Sequence, residues 1–437
     1  MGMAKISPSG HVCFRSGSKS GGLAGWPDQQ SGGPPAEGTP LHVTPAPWTP
    51  LSGATHAVAL EVLLHGPLSR SELARRLDLS AGSLTRLAKP LLDSGLLVES
   101  GTGQEPRAGQ ASRAGHESRA GRPTRPLDVV ADAHHFIGVK ITHEDAHAVL
   151  TTLRAEVVAS ARADLPGRDP ASVVAVVRSL VAALVAELAP KAPHITAAGV
   201  SLGGRVADRG TVVEAPFLEW DDAVPLGAVL SDALGIPTAV DNDLLALTRA
   251  EHWFGAARGR DRFAVLTVGA GIGYGLVVHD RVVDSPDAGV GLLGHFPLDP
   301  LGPLCPRGHR GCATAMLSMA SVSAAASVGL RREVGYDECL DLAAAGDPVA
   351  RPLVMASGRA LGRLIAAVAN LTLTTEIVLT GEGVRLAEVA REALRDGLAY
   401  DRDPRAAAVS LDVRPVDFAL WARGAAVTAI QAYVLGS

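Results

Sequence analysis

Apolar positions near the start of the chain follow a helical period, break, and resume. From His56 onward, the stretch "THAVALEVLLHG" places Leu60, Leu63 and Leu64 on one helical face and stops at Gly66-Pro67. "SRSELARRLDLS" comes next, with Ser69 and Glu72 in capping-box spacing and Leu73, Ala74 and Leu77 turned inward. Ser80 then caps "AGSLTRLAKPLLDSGLL". Leu84, Leu87 and Leu91 form its inner face and leave Ser83, Thr85, Arg86 and Lys89 outside. Pro90 has no amide hydrogen, so a kink or restart is expected there. "LLVES" and "PLDVVA" read as short strands.

Beyond residue 130, strand-like and helix-like periods alternate. "HHFIGVKI", "AHAVLTTL" and "ITAAGVSL" read as strands, with a helix at 170–189 between the second and third. "PLGAVLSDALG" reads as a helix, "IPTAVDND" as a strand ending in acids, and "LLALTRAEHWFG" as a helix. "FAVLTVGAGIGYGLVVHDRVV" alternates around glycines as a strand–turn–strand does, and helices are expected at 315–330, 337–345, 348–370, 384–396 and 420–435. This is the pattern of an α/β protein of two similar halves.

The helix–helix–turn–helix–strand order over 51–130 is that of a winged helix-turn-helix. Its third helix can enter a major groove, making Ser80, Ser83, Thr85, Arg86 and Lys89 the candidate DNA contacts. Segment 101–126 repeats "RAG" and carries five arginines against two glutamates where a wing belongs. It serves either as a phosphate-binding wing or as a spacer.

Composition narrows the class. The 437 residues are 47% hydrophobic and 19% charged, with a formal net charge of -5, as in a soluble protein of more than one domain. Residues 1–50 are rich in Gly, Ser and Pro and are expected to be disordered. Four cysteines are too few for a disulfide scaffold. No export signal is read, and Val173–Leu188 is interrupted by Arg178 and Glu187, so a cytoplasmic protein with no membrane partner is expected.

The order of "DND" at 241–243, "VLTVGAGIGYGLVV" at 265–278, "GH" at 294–295 and a cysteine knuckle at 305–312, behind a helix-turn-helix, resembles the ROK family of repressors and sugar kinases. The resemblance implies a two-lobed actin-like (ribonuclease H-like) fold over 131–437, serving in regulators as an effector and oligomerisation domain. It also implies ligand-binding roles for Asn242, Asp243, His295 and Gly204, with Asp243 standing where family kinases place their general base. Asn242 and Asp243 equally suit the cap of the following helix.

Departures from the family pattern point away from phosphoryl transfer. Lys140 stands where the first phosphate loop has its magnesium-holding Asp, and an ammonium cannot ligate Mg²⁺. Gly269, Gly271, Gly273 and Gly275 keep the second loop, but Glu382 adds bulk and negative charge at the adenine end, so no ATP or magnesium is expected. The family's sugar-binding glutamates are replaced by Leu292 and Thr314, which implies poor binding of ordinary hexoses. The family's zinc motif is a histidine followed by Cys-x-Cys-Gly-x-x-Gly-Cys. It maps to His295, Cys305 and Cys312, with Arg307 in place of the middle cysteine. His309 can complete a Cys2His2 zinc set; the alternative is a metal-free loop in which the charge of Arg307 replaces that of the ion.

These readings describe a DNA-binding transcriptional regulator, a repressor, that is not an enzyme. Its expected partners are double-stranded operator DNA, a sugar or sugar-derived effector, and further copies in a homodimer or homotetramer. The other readings are a sugar kinase with an accessory domain and a scaffold whose lobes only dimerise.

Overall fold

The computed structural model describes residues 53–100, 125–187, 194–415 and 418–436. The expected disordered tail, and all of the arginine-bearing segment except Arg125 and Pro126, lie outside them.

Helices Gly53–His65, Arg70–Arg76 and Ala81–Asp93 are followed by an antiparallel pair, Leu97–Glu99 against Leu127–Val129. This is the element order expected of a winged helix-turn-helix head. Ser69 and Ser80 cap as expected, accepting from the amides of Glu72 and Ser83, each at 3.1 Å. The rest of the capping box does not form. Arg75 and Arg76 hold the Glu72 carboxylate at 2.7–3.0 Å, because two guanidiniums one turn along offer stronger bonds than one backbone amide. In the first helix Val58, Ala59, Val62 and Leu63 are buried, while Leu60 and Leu64 are only half-buried. Nor does Pro90 break the third helix. It lies on the exposed side, where water can serve the carbonyl left without a donor.

The remainder repeats one topology twice. The first five-stranded sheet runs Val157–Asp164, Asp145–Thr152, His135–Ile141, Ile195–Leu202, Thr238–Asn242. The second runs Arg281–Val282, Ile272–Val278, Arg262–Val268, Glu376–Thr380, Ser410–Val413. In each, the first strand of the lobe is central, the next two turn back antiparallel and the last two run parallel to it. The two similar halves are therefore present, with more strands than the periodicity suggested. Val157–Asp164 alternates only weakly and is mostly exposed, so its pairing comes from the neighbouring strand and not from its own pattern.

Helix Phe418–Leu435 lies against the first sheet so closely that side chains must be absent there. A Cβ on Gly138 would stand 2.0 Å from the Ala422 carbonyl oxygen, and one on Gly199 would stand 1.8 Å from that of Ala425. The helix also joins head to body. Val58, Val62, Leu63 and Leu73 of the head share one buried core with Phe136, Trp253, Val427, Ile430 and Val434 of the body. His56 donates to the Val434 carbonyl at 3.0 Å, and Arg154 donates to the Val62 carbonyl at 3.0 Å while pairing with Asp128.

Three helices, Pro170–Glu187, Ala350–Thr372 and Phe418–Leu435, are long and apolar enough by length and composition to cross a bilayer, so Arg178 and Glu187 do not exclude the first on those grounds. In the fold each buries an apolar face in a protein core: Val173, Val177, Leu180 and Leu184 in the first, Leu361, Leu364 and Ile365 in the second.

Candidate functional site

On the third helix of the head, Ser80, Thr85, Arg86 and Lys89 are exposed and Ser83 is half-buried. The hydroxyls are partly engaged: Ser80 donates to Ser83 at 2.9 Å, and Thr85 donates to the Ala81 carbonyl at 2.9 Å. Arg86 and Lys89 have no ion-pair partner among the described residues, unlike Arg75, which pairs with Glu72, and Arg76, which pairs with Glu72 and Glu61. The head thus offers two uncompensated cations one turn apart on one exposed helical face, the charge pattern that a phosphate backbone attracts.

In the body, Asn242 ends strand Thr238–Asn242 and caps helix Asp243–Phe254. Its side-chain oxygen accepts from the amides of Leu244 at 3.0 Å and Leu245 at 3.2 Å, and its amide donates to the Gly204 carbonyl at 3.0 Å. The capping role therefore holds, and it occupies most of the bonding capacity of Asn242. Asp243 forms an ion pair with Lys140, which reaches over from the central strand of the sheet. Lys140 is 7% exposed, and its ammonium sits 5.4 Å from the centre of the Trp421 ring. The residue that the family resemblance puts at a magnesium-ligand position is thus paired with the carboxylate that it puts at the base position. Beside Asp243, the exposed Phe217 packs over Gly203.

One group escaped the sequence reading. Asp241, buried beside this pair, accepts from Arg249 at 2.9 Å and from Thr428 at 3.3 Å. Burial pushes its carboxyl above the ordinary range, and the Arg249 charge opposes that. Arg249 also reaches Asp284 at 3.0 Å.

Two of the loop's glycines are accounted for by packing. A Cβ at Gly273 would stand 2.3 Å from the Thr267 hydroxyl of the paired strand and 3.0 Å from Leu244, and one at Gly275 would stand 2.0 Å from the Thr248 hydroxyl, so these glycines let the hairpin close on helix Asp243–Phe254. The Glu382 carboxylate lies against Gly269, and a Cβ at Gly271 would meet nothing within 4 Å.

His295 lies at the end of the 3₁₀ turn Leu292–His295 and belongs to the knuckle. Its Nδ1 is 3.8 Å from Cys305 Sγ and 3.8 Å from Cys312 Sγ, and Cys305 Sγ is 3.6 Å from His309 Nδ1. His295, Cys305 and His309 offer ligand atoms all within 4.8 Å of one another. Four S and N donors at bond lengths of about 2.0–2.3 Å on tetrahedral corners stand roughly 3.4–3.8 Å apart. His295, Cys305 and His309 fit a zinc ion in kind and spacing, and Cys312, outside that group of three, is at such a distance from His295. Burial, then the neighbouring His309 and Arg307, hold the His295 imidazole below its ordinary value and so neutral, as a ligand must be. Burial opposes ionisation of Cys305, but backbone amides of His309, Arg307 and Gly308 outweigh it and lower that thiol. Arg307 is exposed on the turn, and its charge is one of those that lower His295.

Comparison with known proteins bears on most of the chain. The sequence profile of the ROK family matches residues 136–401. The chain is 24% identical over 349 residues to the DNA-binding transcriptional repressor Mlc of Escherichia coli K12, covering 78% of this chain and 83% of that one. It is 27% identical over 330 residues to the DNA-binding transcriptional dual regulator NagC of the same strain, covering 73% and 77%. Among solved structures, a ROK family transcriptional regulator homologous to the Escherichia coli Mlc protein superposes with a TM-score of 0.71 at 22% identity, over 87% of this chain and 96% of that one. The ROK hexokinase of Thermus thermophilus matches with a TM-score of 0.55 at 26% identity, over 67% and 97%. With the profile spanning more than half its length, the chain belongs to the ROK family.

Proposed function

We propose that the protein is a DNA-binding transcriptional regulator, acting as a repressor, whose body senses a small molecule and does not phosphorylate it. The Lys140–Asp243 ion pair carries the second half of this reading. Phosphoryl transfer depends on metal and charge positioning. Here the metal ligand is replaced by a cation, and that cation holds the carboxylate that would take the hydroxyl proton. The uncompensated Arg86 and Lys89, and the similarity to Mlc and NagC, support the first half.

The path from the ion pair to the head is short. Helix Asp243–Phe254 begins with Asp243 and carries Trp253, in the core shared with the head, near its other end. The C-terminal helix runs beside it. Its Trp421 lies under Lys140, its Thr428 donates to Asp241, its Arg423 donates to the Phe254 carbonyl at 3.1 Å, and its Val434 accepts from the head. A ligand that competes for Asp243 acts on both helices, and through them on the seating of the head. A zinc ion held by His295, Cys305, His309 and Cys312 would have no open coordination position; it would cross-link the segments that carry these residues and take no part in chemistry.

The test has two arms. Duplexes selected from a random library by the full chain should bind in gel shifts, and Arg86→Ala should weaken binding by about 5–100-fold while reducing its salt dependence. Sugar-dependent ATP consumption over a sugar panel should stay at background. Unchanged binding by Arg86→Ala would refute the assignment of the DNA-reading face, and turnover with any sugar would refute the sensor reading.

A further inference from the structure

We infer that zinc in this chain is coordinated through a relocated ligand, with His309 supplying the corner that the family pattern gives to a cysteine at position 307. The knuckle turn explains how a donor can move two residues along the chain and still reach the same ion. The Gly308 amide donates to the Cys305 carbonyl at 2.8 Å, and the Cys305 amide donates to the His309 carbonyl at 2.9 Å. Gly308 supplies the positive φ of 84° that closes this reversal, and Leu304 bridges to Arg310 beyond it. His309 is thereby folded back beside Cys305, its ring centre 4.5 Å from that of His295, while Arg307 sits exposed near the tip.

Two sulfurs and two imidazoles satisfy zinc in number and kind. Two thiolates also neutralise the dication, so Arg307 has no charge to compensate and is free to point into water. The four donors come from three separate pieces of chain: the 3₁₀ turn Leu292–His295, the turn 305–309, and the start of helix Ala313–Leu317 at Cys312. Pro297 bridges to Cys312, and Thr314 donates to the Gly294 carbonyl at 2.8 Å. The ion would therefore fix the segment that carries Leu292.

The experiment uses the full chain, purified under reducing conditions without chelators. Metal analysis should find stoichiometric zinc, and cobalt exchanged for it should show tetrahedral visible bands with charge-transfer intensity for two thiolates. His309→Ala should lower zinc affinity by about 100-fold in chelator competition, while Arg307→Ala should leave it unchanged. Arg307→Cys placed in the His309→Ala background should restore affinity and raise the charge-transfer intensity to that of three thiolates. Three results would each overturn the inference: wild-type affinity in His309→Ala, a comparable loss in Arg307→Ala, or a Cys305–Cys312 disulfide where the metal should be. None of these readouts depends on DNA binding, so this inference and the regulator reading fail independently.

Discussion

Lys140→Met removes one ammonium and keeps an unbranched apolar stem against Trp421. Asp243 then loses its counterion and retains one donor, the Leu244 amide at 2.8 Å. The two side chains are 8% and 20% exposed, so water screens the pair only weakly. Removing one member of a buried pair costs about 3–5 kcal/mol, because the other charge is left unpaired. The residual solvent access of Asp243 and its amide donor bring the expected loss down to about 2–3 kcal/mol. Combining Lys140→Met with Asp243→Asn removes both charges and should return stability to within about 1 kcal/mol of wild type. Urea unfolding of the four proteins closes a double-mutant cycle, with an expected coupling energy of about 2 kcal/mol. If the single losses simply add, to within about 0.5 kcal/mol, the two charges do not interact. Asp243 would then be as available as a catalytic base must be, and the argument against phosphoryl transfer would lose its main support.

Two further outcomes follow from the fold. Gly199→Ala sets a methyl 1.8 Å from the Ala425 carbonyl oxygen, so the C-terminal helix must back away; a loss of about 3 kcal/mol or more is expected, together with faster proteolysis in the head, and a wild-type unfolding midpoint would contradict the close docking. Burial pushes the imidazoles of His134 and His135 below their ordinary value, with His194 adding to the effect and Asp132 opposing it at His135. The folded state keeps them neutral while the unfolded chain takes up protons near pH ~6.5, so their contribution is present above that pH and lost as pH falls toward the folded values. Thermal midpoints should therefore fall on acidification, less steeply in a His134→Gln/His135→Gln variant; identical profiles would contradict this.

What the sequence disclosed was mainly local. The caps at Ser69, Ser80 and Asn242 were legible because a capping side chain bonds within three residues of itself. The inward leucines of the head, and the alternation that gives two lobes, were legible for the same reason. The interactions that decide function join distant positions. Lys140 could be read as a lost metal ligand, but its partner lies 103 residues away. Glycines of the second phosphate loop look like a nucleotide cradle until Thr248 and Thr267 are seen packed against two of them. Pro90 was expected to kink or restart its helix because it has no amide hydrogen, but one helix, Ala81–Asp93, runs through it. The proximity of His309 to Cys305 depends on a turn closed by Gly308, whose φ no periodicity discloses.

The continuous core beneath the N-terminal head has a practical consequence. A module hung on a tether can be exchanged by cutting the tether; this one is seated in a socket built from Phe136, Trp253, Ile430 and Val434. Grafting the head of a relative onto this body, to redirect it to another promoter, would require transplanting that socket as well. Chimaeras joined only at the linker near residue 130 should expose apolar surface and aggregate.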